Sequence, residues 1–277
     1  MVRFGIAFLL LAAAFFGART FVLRKFEAEM IKVHKQGPRT PATRGLLYEE
    51  IPIHSGDRLL RSFYVPADGP GLLIFHGNGE AISGWVDALK ILHDAGIAGM
   101  VFDYSGFGNS TGEARISNFH EDGIAAWHAF RERLPGATRA CVYGLSLGTG
   151  VLLEVSAELA PAPDCTVLSG AFLSARAAAV QLKRVAAWQS YLLPDVLDSL
   201  ENVARVRGPV FIEHGTEDEM FPPAWASKLQ AAHPGAQIEI VRGMHHADPV
   251  AHPSAASWDP VIRFVKAKSE RQASGRP

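Results

Sequence analysis

Cysteine is almost missing from this chain. Two residues in 277, Cys141 and Cys165, are too few for a disulfide-built scaffold, and they lack the paired spacing of a zinc site. Both sit in short apolar runs and are expected to be reduced core thiols. An excess of either charge is missing too. Lys and Arg number 27 against 28 Asp and Glu, a net charge of −1. Composition therefore offers no basic surface for nucleic acid, and no nucleic-acid partner is expected. No internal repeat is present. What the chain does have is 48% hydrophobic residues, the proportion of an ordinary globular protein long enough for one sizeable α/β core.

The N-terminus carries an apolar segment. Fifteen uncharged residues, Phe4 to Ala18, separate Arg3 from Arg19, and Thr20 to Leu23 prolong the run. A cleaved signal peptide would use Ala12-Ala13-Ala14 as its small-residue site and keep only a short apolar region. An uncleaved anchor needs Arg3 and Arg19 to reach the two interfaces, so that about 20 residues span the bilayer. The anchor, a single N-terminal pass over residues 1–23, is the reading carried forward. Basic residues from Arg24 to Arg44 outnumber those before the run, which would hold the body in the cytoplasm. An N-terminal export signal would place it outside, and the side stays open. Residues 24–45, with Gly37-Pro38 and Thr40-Pro41, read as a linker. The polar end, 269–277, reads as a tail.

Between them, strand-like and helix-like stretches alternate. Leu46–His54 and Leu59–Tyr64 flank Ser55-Gly56-Asp57, a hairpin signal. Buried strands are expected at Leu72–Phe75, Gly99–Tyr104, Ala140–Tyr143, Cys165–Ser169, Pro209–His214 and Gln237–Val241. Helices are expected at Trp85–Ala95, Ile116–Leu134, Val151–Leu159, Ala224–Ala232 and Trp258–Lys266. This rhythm predicts a mainly parallel, doubly wound sheet with an antiparallel hairpin at its start. Residues 171–207 break the rhythm and are expected to form a short helical cap over the C-terminal strand ends, where such sheets bind ligands.

Chemistry-bearing residues gather at those strand ends. Gly144-Leu145-Ser146-Leu147-Gly148 is G-x-S-x-G between a strand and a helix, the context of a nucleophile elbow. Ser146 is the expected nucleophile, and the Leu147 N–H at the helix start is an oxyanion donor. After the strand ending at Phe75 stands His76-Gly77-Asn78-Gly79, and the Asn78 N–H is the second expected donor. Gly106-Phe107-Gly108 invites a dinucleotide reading, but Thr111 stands where the third glycine is needed, and the stretch reads as a structural loop beside the site. A serine nucleophile needs a base and an acid to orient it. Glu217, Asp218 and Glu219 follow one strand, and His245 and His246 follow the last. No ligand set with metal spacing accompanies the paired histidines, so neither metal nor other cofactor is expected.

Five stretches together carry a resemblance: HGNG at His76–Gly79, DYSGFGNSTG at Asp103–Gly112, GLSLG at Gly144–Gly148, HGTEDEMFP at His214–Pro222 and GMHHAD at Gly243–Asp248. In this order the chain resembles the α/β-hydrolase superfamily of serine hydrolases. It is similar within it to N-terminally membrane-anchored α/β-hydrolase-domain proteins with a short lid, which include thioesterases and esterases. The resemblance spans 46–268 and implies an α/β-hydrolase fold there. The family's H-G-x-x-D implies Asp218 as the acid, and its G-x-H-x-D implies His246, rather than His245, as the base. Glu80 departs from the small apolar residue such proteins often carry after HGNG. The implied activity is cleavage of a small-molecule or lipid-like acyl ester or thioester through Ser146, His246 and Asp218 and an acyl-enzyme. The rivals are a serine peptidase of the same fold and a catalytically silent, membrane-tethered binding protein.

Overall fold

The computed structural model describes residues 16–17, 19–136, 138–193 and 196–267. Most of the expected anchor and the tail 269–277 lie outside them. Among the described residues no helix is long and apolar enough to cross a membrane.

Eight strands form the central sheet: β1 (Glu49–Glu50), β4 (Ser62–Val65), β5 (Gly71–Phe75), β6 (Ala98–Phe102), β7 (Ala140–Leu145), β8 (Cys165–Ser169), β9 (Val210–Gly215) and β10 (Gln237–Val241). Their order across the sheet is β1-β4-β6-β5-β7-β8-β9-β10. The β1–β4 and β4–β6 pairs are antiparallel, and all the others are parallel. Strands β5, β6 and β7 are apolar and buried along their whole length because helices cover both faces. Alternate residues still part to opposite sides. Leu73, Phe75 and Val142 join a core with Phe119, Trp127 and Phe130 of helix α3 (Ile116–Arg133). Leu72, Ile74 and Tyr143 join another, with Trp85 and with Trp258 of helix α9 (Ala255–Lys266). Pairing fixes one continuous row across the functional half of the sheet: Leu145 opposite Ser169, Ser169 opposite Glu213, Glu213 opposite Glu239.

The expected hairpin divides. The turn at Ser55-Gly56-Asp57 joins β2 (Ile53–Ser55) to β3 (Arg58–Leu60), and Gly56 has φ +58° there. These two strands form their own small sheet, and only β1 and β4 reach the large one. The elbow helix α4 runs Leu147–Val155, earlier than the expected Val151–Leu159. Its first turns carry Gly148 and Gly150, poor helix formers that obscure its start in the sequence. The cap consists of α5 (Ala175–Gln181), a 3-10 turn (Gln189–Leu192) and α6 (Ser199–Val203). Helices α2 (Val86–Asp94), α7 (Ala224–Ala232) and the unexpected α8 (Asp248–Ala251) complete the body.

Two expectations are corrected. Cys141 and Cys165 are joined in a disulfide. They face each other across neighbouring strands with Cα atoms 4.7 Å apart, a juxtaposition that exists only once β7 and β8 are paired. Residues 24–45 do not form a free linker. Residues 19–30 are helical, α1 here, with Phe26 and Glu27 buried and Val22 and Leu23 packed on the core. Beyond α1 the chain is bonded down: the Gly108 N–H donates to the His34 carbonyl, and the Gly37 N–H donates to Ser83 Oγ.

Trp258 is 1% exposed and packs edge-on against Trp85 and beside Tyr143. Trp258→Ala is expected to lower the unfolding free energy by about 3–5 kcal/mol, measured by denaturant titration. A loss under about 1 kcal/mol would show that α9 does not close this core.

Candidate active site

The C-terminal ends of β5, β7, β8, β9 and β10 converge on one place. Ser146 follows β7 directly and holds φ 51°, ψ −116°, a conformation rare outside glycine and typical of a strand-to-helix elbow. Its own N–H donates to the Ser169 carbonyl, and its carbonyl accepts from both the N–H and Oγ of Thr149. The turn can be this tight because its flanks lack side chains. A Cβ on Gly148 would lie 1.9 Å from the Phe75 carbonyl oxygen. The Leu147 N–H, at the first position of α4, has no partner within that helix.

The strand-end acid and histidine are brought together. His246 Nδ1 lies 2.7 Å from Asp218 Oδ2. The other ring nitrogen of His246, Nε2, is buried with no hydrogen-bond partner. Since Asp218 can only accept, Nδ1 carries a proton, and in the neutral ring the lone pair is then on Nε2. Asp218 Oδ1 accepts from the N–H groups of Met220 and Phe221. A further donor was not anticipated: His214 Nε2 lies 3.1 Å from Asp218 Oδ2 and 2.9 Å from the Phe221 carbonyl. Both neighbours are acceptors, so this nitrogen also carries a proton. Burial opposes the Asp218 charge, but the hydrogen bonds from His214 and His246 outweigh it and hold the carboxyl well below the usual carboxylate range. The sequence did hold a signal for His214, which stands four residues before Asp218 in H-G-x-x-D.

Of the competitors, Glu219 meets His246 only at its backbone, accepting from the His246 N–H at 3.3 Å. His245 is exposed and faces the equally exposed Glu219 at 3.4 Å. Asp248 accepts from the His245 N–H and contacts His252. Among the described residues, no group of three or more His, Cys, Asp or Glu gathers that could hold a metal ion.

The Asn78 loop is held from three sides. Tyr104 OH donates to the His76 carbonyl, and the His76 ring lies against Tyr104 and Phe107. That gives the Asp103–Gly112 loop a bracing role. Glu80 Oε2 accepts from the Gly77 N–H and from Trp85 Nε1, each at 2.9 Å. Asn78 Nδ2 donates to the Met30 carbonyl, while its Oδ1 accepts from the Lys32 N–H. The Asn78 side chain is therefore occupied by the N-terminal segment. Ser146, Leu147 and Asn78 border a cavity of about 70 Å³ whose remaining walls are apolar. Phe26, Met30 and Ile31, residues expected to lie in a linker, form one of those walls. Val22, Phe26 and Met30 recur every four residues, a periodicity that marks a packed helix face.

Comparison with known proteins agrees with this architecture. A family model described as serine aminopeptidase, S33 (Hydrolase_4), matches residues 70–201. An uncharacterized protein of Mycobacterium tuberculosis is 30% identical over 234 residues, covering 81% of this chain and 80% of that protein. Alpha/beta hydrolase domain-containing protein 17C of Xenopus tropicalis is 35% identical over 124 residues, 43% of this chain and 37% of that one. The chain belongs to the α/β-hydrolase superfamily. An esterase of Pyrococcus furiosus shares the fold of this α/β-hydrolase with a TM-score of 0.70 at 16% identity, over 85% of this chain and 97% of that one.

Glu80 is expected to make the stability of this α/β-hydrolase depend on pH. Burial pushes its carboxyl up to about 7, against the hydrogen bonds from Gly77 and Trp85 that favour the charge. The native value lies above the unfolded one, so the fold favours the neutral acid. Stability is then expected to fall as pH rises from about 4.5 through about 7. Glu80→Gln keeps an oxygen for both donors and removes the ionisation. Its melting temperature is expected to exceed that of the wild type at pH 8, with the gap closing by pH 4. A constant gap across that range would show that Glu80 does not titrate.

Proposed function

We propose that this chain is a serine hydrolase that cleaves an acyl ester or thioester. The observation that carries the reading is the His246 imidazole. One nitrogen is bound to the ionised Asp218, and the other is buried and unpartnered, at the strand ends where Ser146 stands.

The mechanism follows from that polarity. Ser146 Oγ attacks the acyl carbonyl carbon as His246 Nε2 takes the hydroxyl proton. Asp218 keeps the proton on Nδ1 and stabilises the imidazolium. His214 and the two loop N–H groups keep Asp218 ionised while it does so. The N–H groups of Leu147 and Asn78 receive the negative oxygen. His246 returns the proton to the leaving alcohol or thiol. Water, deprotonated by the same nitrogen, then releases the acid from Ser146.

A peptidase reading draws support from the description of the matching family model. The cavity favours acyl chains instead. Among the described residues its polar lining is Asn78 and Ser146, with no carboxylate to receive a free α-amino group. Membrane attachment through the N-terminus belongs to the same proposal. Phe16 and Phe21 near the start of the described chain, and Trp188 and Tyr191 in the cap, are large exposed side chains suited to the headgroup level. Val22 and Leu23 are held on the domain, so the part of residues 1–23 left for the bilayer ends before them.

Ser146→Ala is expected to abolish labelling by a fluorophosphonate probe and to lower ester turnover by several orders of magnitude. His246→Ala should be about as damaging, and His245→Ala much milder. Labelling that survives in Ser146→Ala refutes the nucleophile. Full labelling without turnover of any ester, thioester or peptide would leave the silent binding protein. For the anchor, the intact chain is expected to stay in the membrane pellet through high salt and alkaline washing, because burial of apolar surface does not depend on charge. Release by either wash would refute it.

A further inference from the structure

We infer that residues 22–37 form a fixed strap that serves as one wall of the acyl-binding pocket, and that the pocket takes an aliphatic acyl chain. This rests on the serine-hydrolase reading of Ser146 and names its substrate class.

The strap is fastened at four separated points. Glu27 is buried, and its carboxylate accepts from the Ile116 N–H at the start of α3. Asn78 clasps the Met30 carbonyl and the Lys32 N–H, both at 2.7 Å. His34 accepts from the Gly108 N–H, and Gly37 donates to Ser83, each at 2.9 Å. The partners come from α3, the Asn78 loop, the Asp103–Gly112 loop and the start of the 82–94 helical stretch. A segment bonded to four elements acts as part of the pocket wall.

What this wall presents is apolar. Phe26, Met30 and Ile31 face the cavity from the strap, and Phe172, Ala178 and Leu182 face it from the cap side. Among the described residues no charged side chain lines the cavity. The one polar side chain beside Ser146 there, that of Asn78, is turned to the strap backbone. A substrate group entering here gains from removal of CH₂ surface from water and has no side chain to meet a charge or a hydroxyl. The cavity holds about 70 Å³ between the strap and the cap side. Asn78 ties the strap to the residue whose N–H is the proposed oxyanion donor, so the chain-binding wall and the reacting centre share one fastening.

The test uses the full-length chain and two variants, Met30→Trp and Phe26→Ala, each checked for native circular dichroism. Wild type is assayed on p-nitrophenyl acetate, butyrate, octanoate and dodecanoate. Met30→Trp fills the cavity and is expected to lower the octanoate-to-acetate ratio of kcat/KM by about tenfold or more. Phe26→Ala widens it and should raise turnover of a branched ester, p-nitrophenyl pivalate, relative to acetate. Calorimetric titration of decanoate reads the same pocket without turnover, and Met30→Trp should weaken its binding by a similar factor. Unchanged ratios and unchanged decanoate affinity in folded variants would overturn the strap as a wall. Failure of wild type to bind decanoate would overturn the substrate class. Decanoate binding weakened by Met30→Trp in a chain that turns over no ester would uphold the strap and remove the hydrolase reading instead.

Discussion

The site depends on how closely helix α4 approaches the end of strand β5. The backbone at Gly148 leaves no room for even one carbon between itself and the Phe75 carbonyl, and a carbon on Gly144 would meet the Gly148 carbonyl at 2.8 Å. That approach bends the chain at Ser146 into its unusual dihedrals, a strain of about 1–3 kcal/mol. Three hydrogen bonds to the Ser146 backbone offset it. The same closeness brings the loop after Phe75 beside Ser146. With a bulkier flank the helix would move off β5, and Ser146 and Asn78 would no longer border one cavity.

Around that contact the remaining interactions act as braces. The loop bearing Asn78 is held below by Glu80 and Trp85, behind by Tyr104, and above by the strap. Asp218 is braced as fully, with two imidazoles and two backbone N–H groups on its two oxygens. His246 Nε2 is left without a partner, and so are His214 Nδ1 and His76 Nε2 nearby.

Much of this was legible in the sequence, for reasons that are local. Fully apolar runs such as Leu72–Phe75 admit little besides a buried strand. A glycine two residues either side of Ser146 signals the turn. The order Ser146, Asp218, His246 follows from strands that succeed one another in the sheet. Other features depend on tertiary pairing and left weaker traces. The Cys141–Cys165 bond needs β7 and β8 side by side in one register, which neither run reveals alone. The Gly-Pro and Thr-Pro steps near residues 37–41 mark irregular backbone, which in sequence alone reads as a linker. Here it is irregular because it follows the domain surface, its N–H and C=O groups bonded to loops far away in sequence. The choice between His245 and His246 rests on side-chain direction, since one points to solvent and the other to Asp218.

The row Leu145, Ser169, Glu213, Glu239 works as a ruler laid across four strands. Ser146 stands one residue past it, Asp218 five residues past and His246 seven. One step along a strand is about 3.3 Å, larger than the whole spread between a good hydrogen bond and none. Register is therefore an all-or-nothing setting for this constellation. A slip of a single step between β9 and β10 would part His246 from Asp218 while every strand stayed intact and every apolar residue could still find some cover. The ladder of backbone bonds that makes the sheet is also the measuring device that sets the distances between the groups at its end.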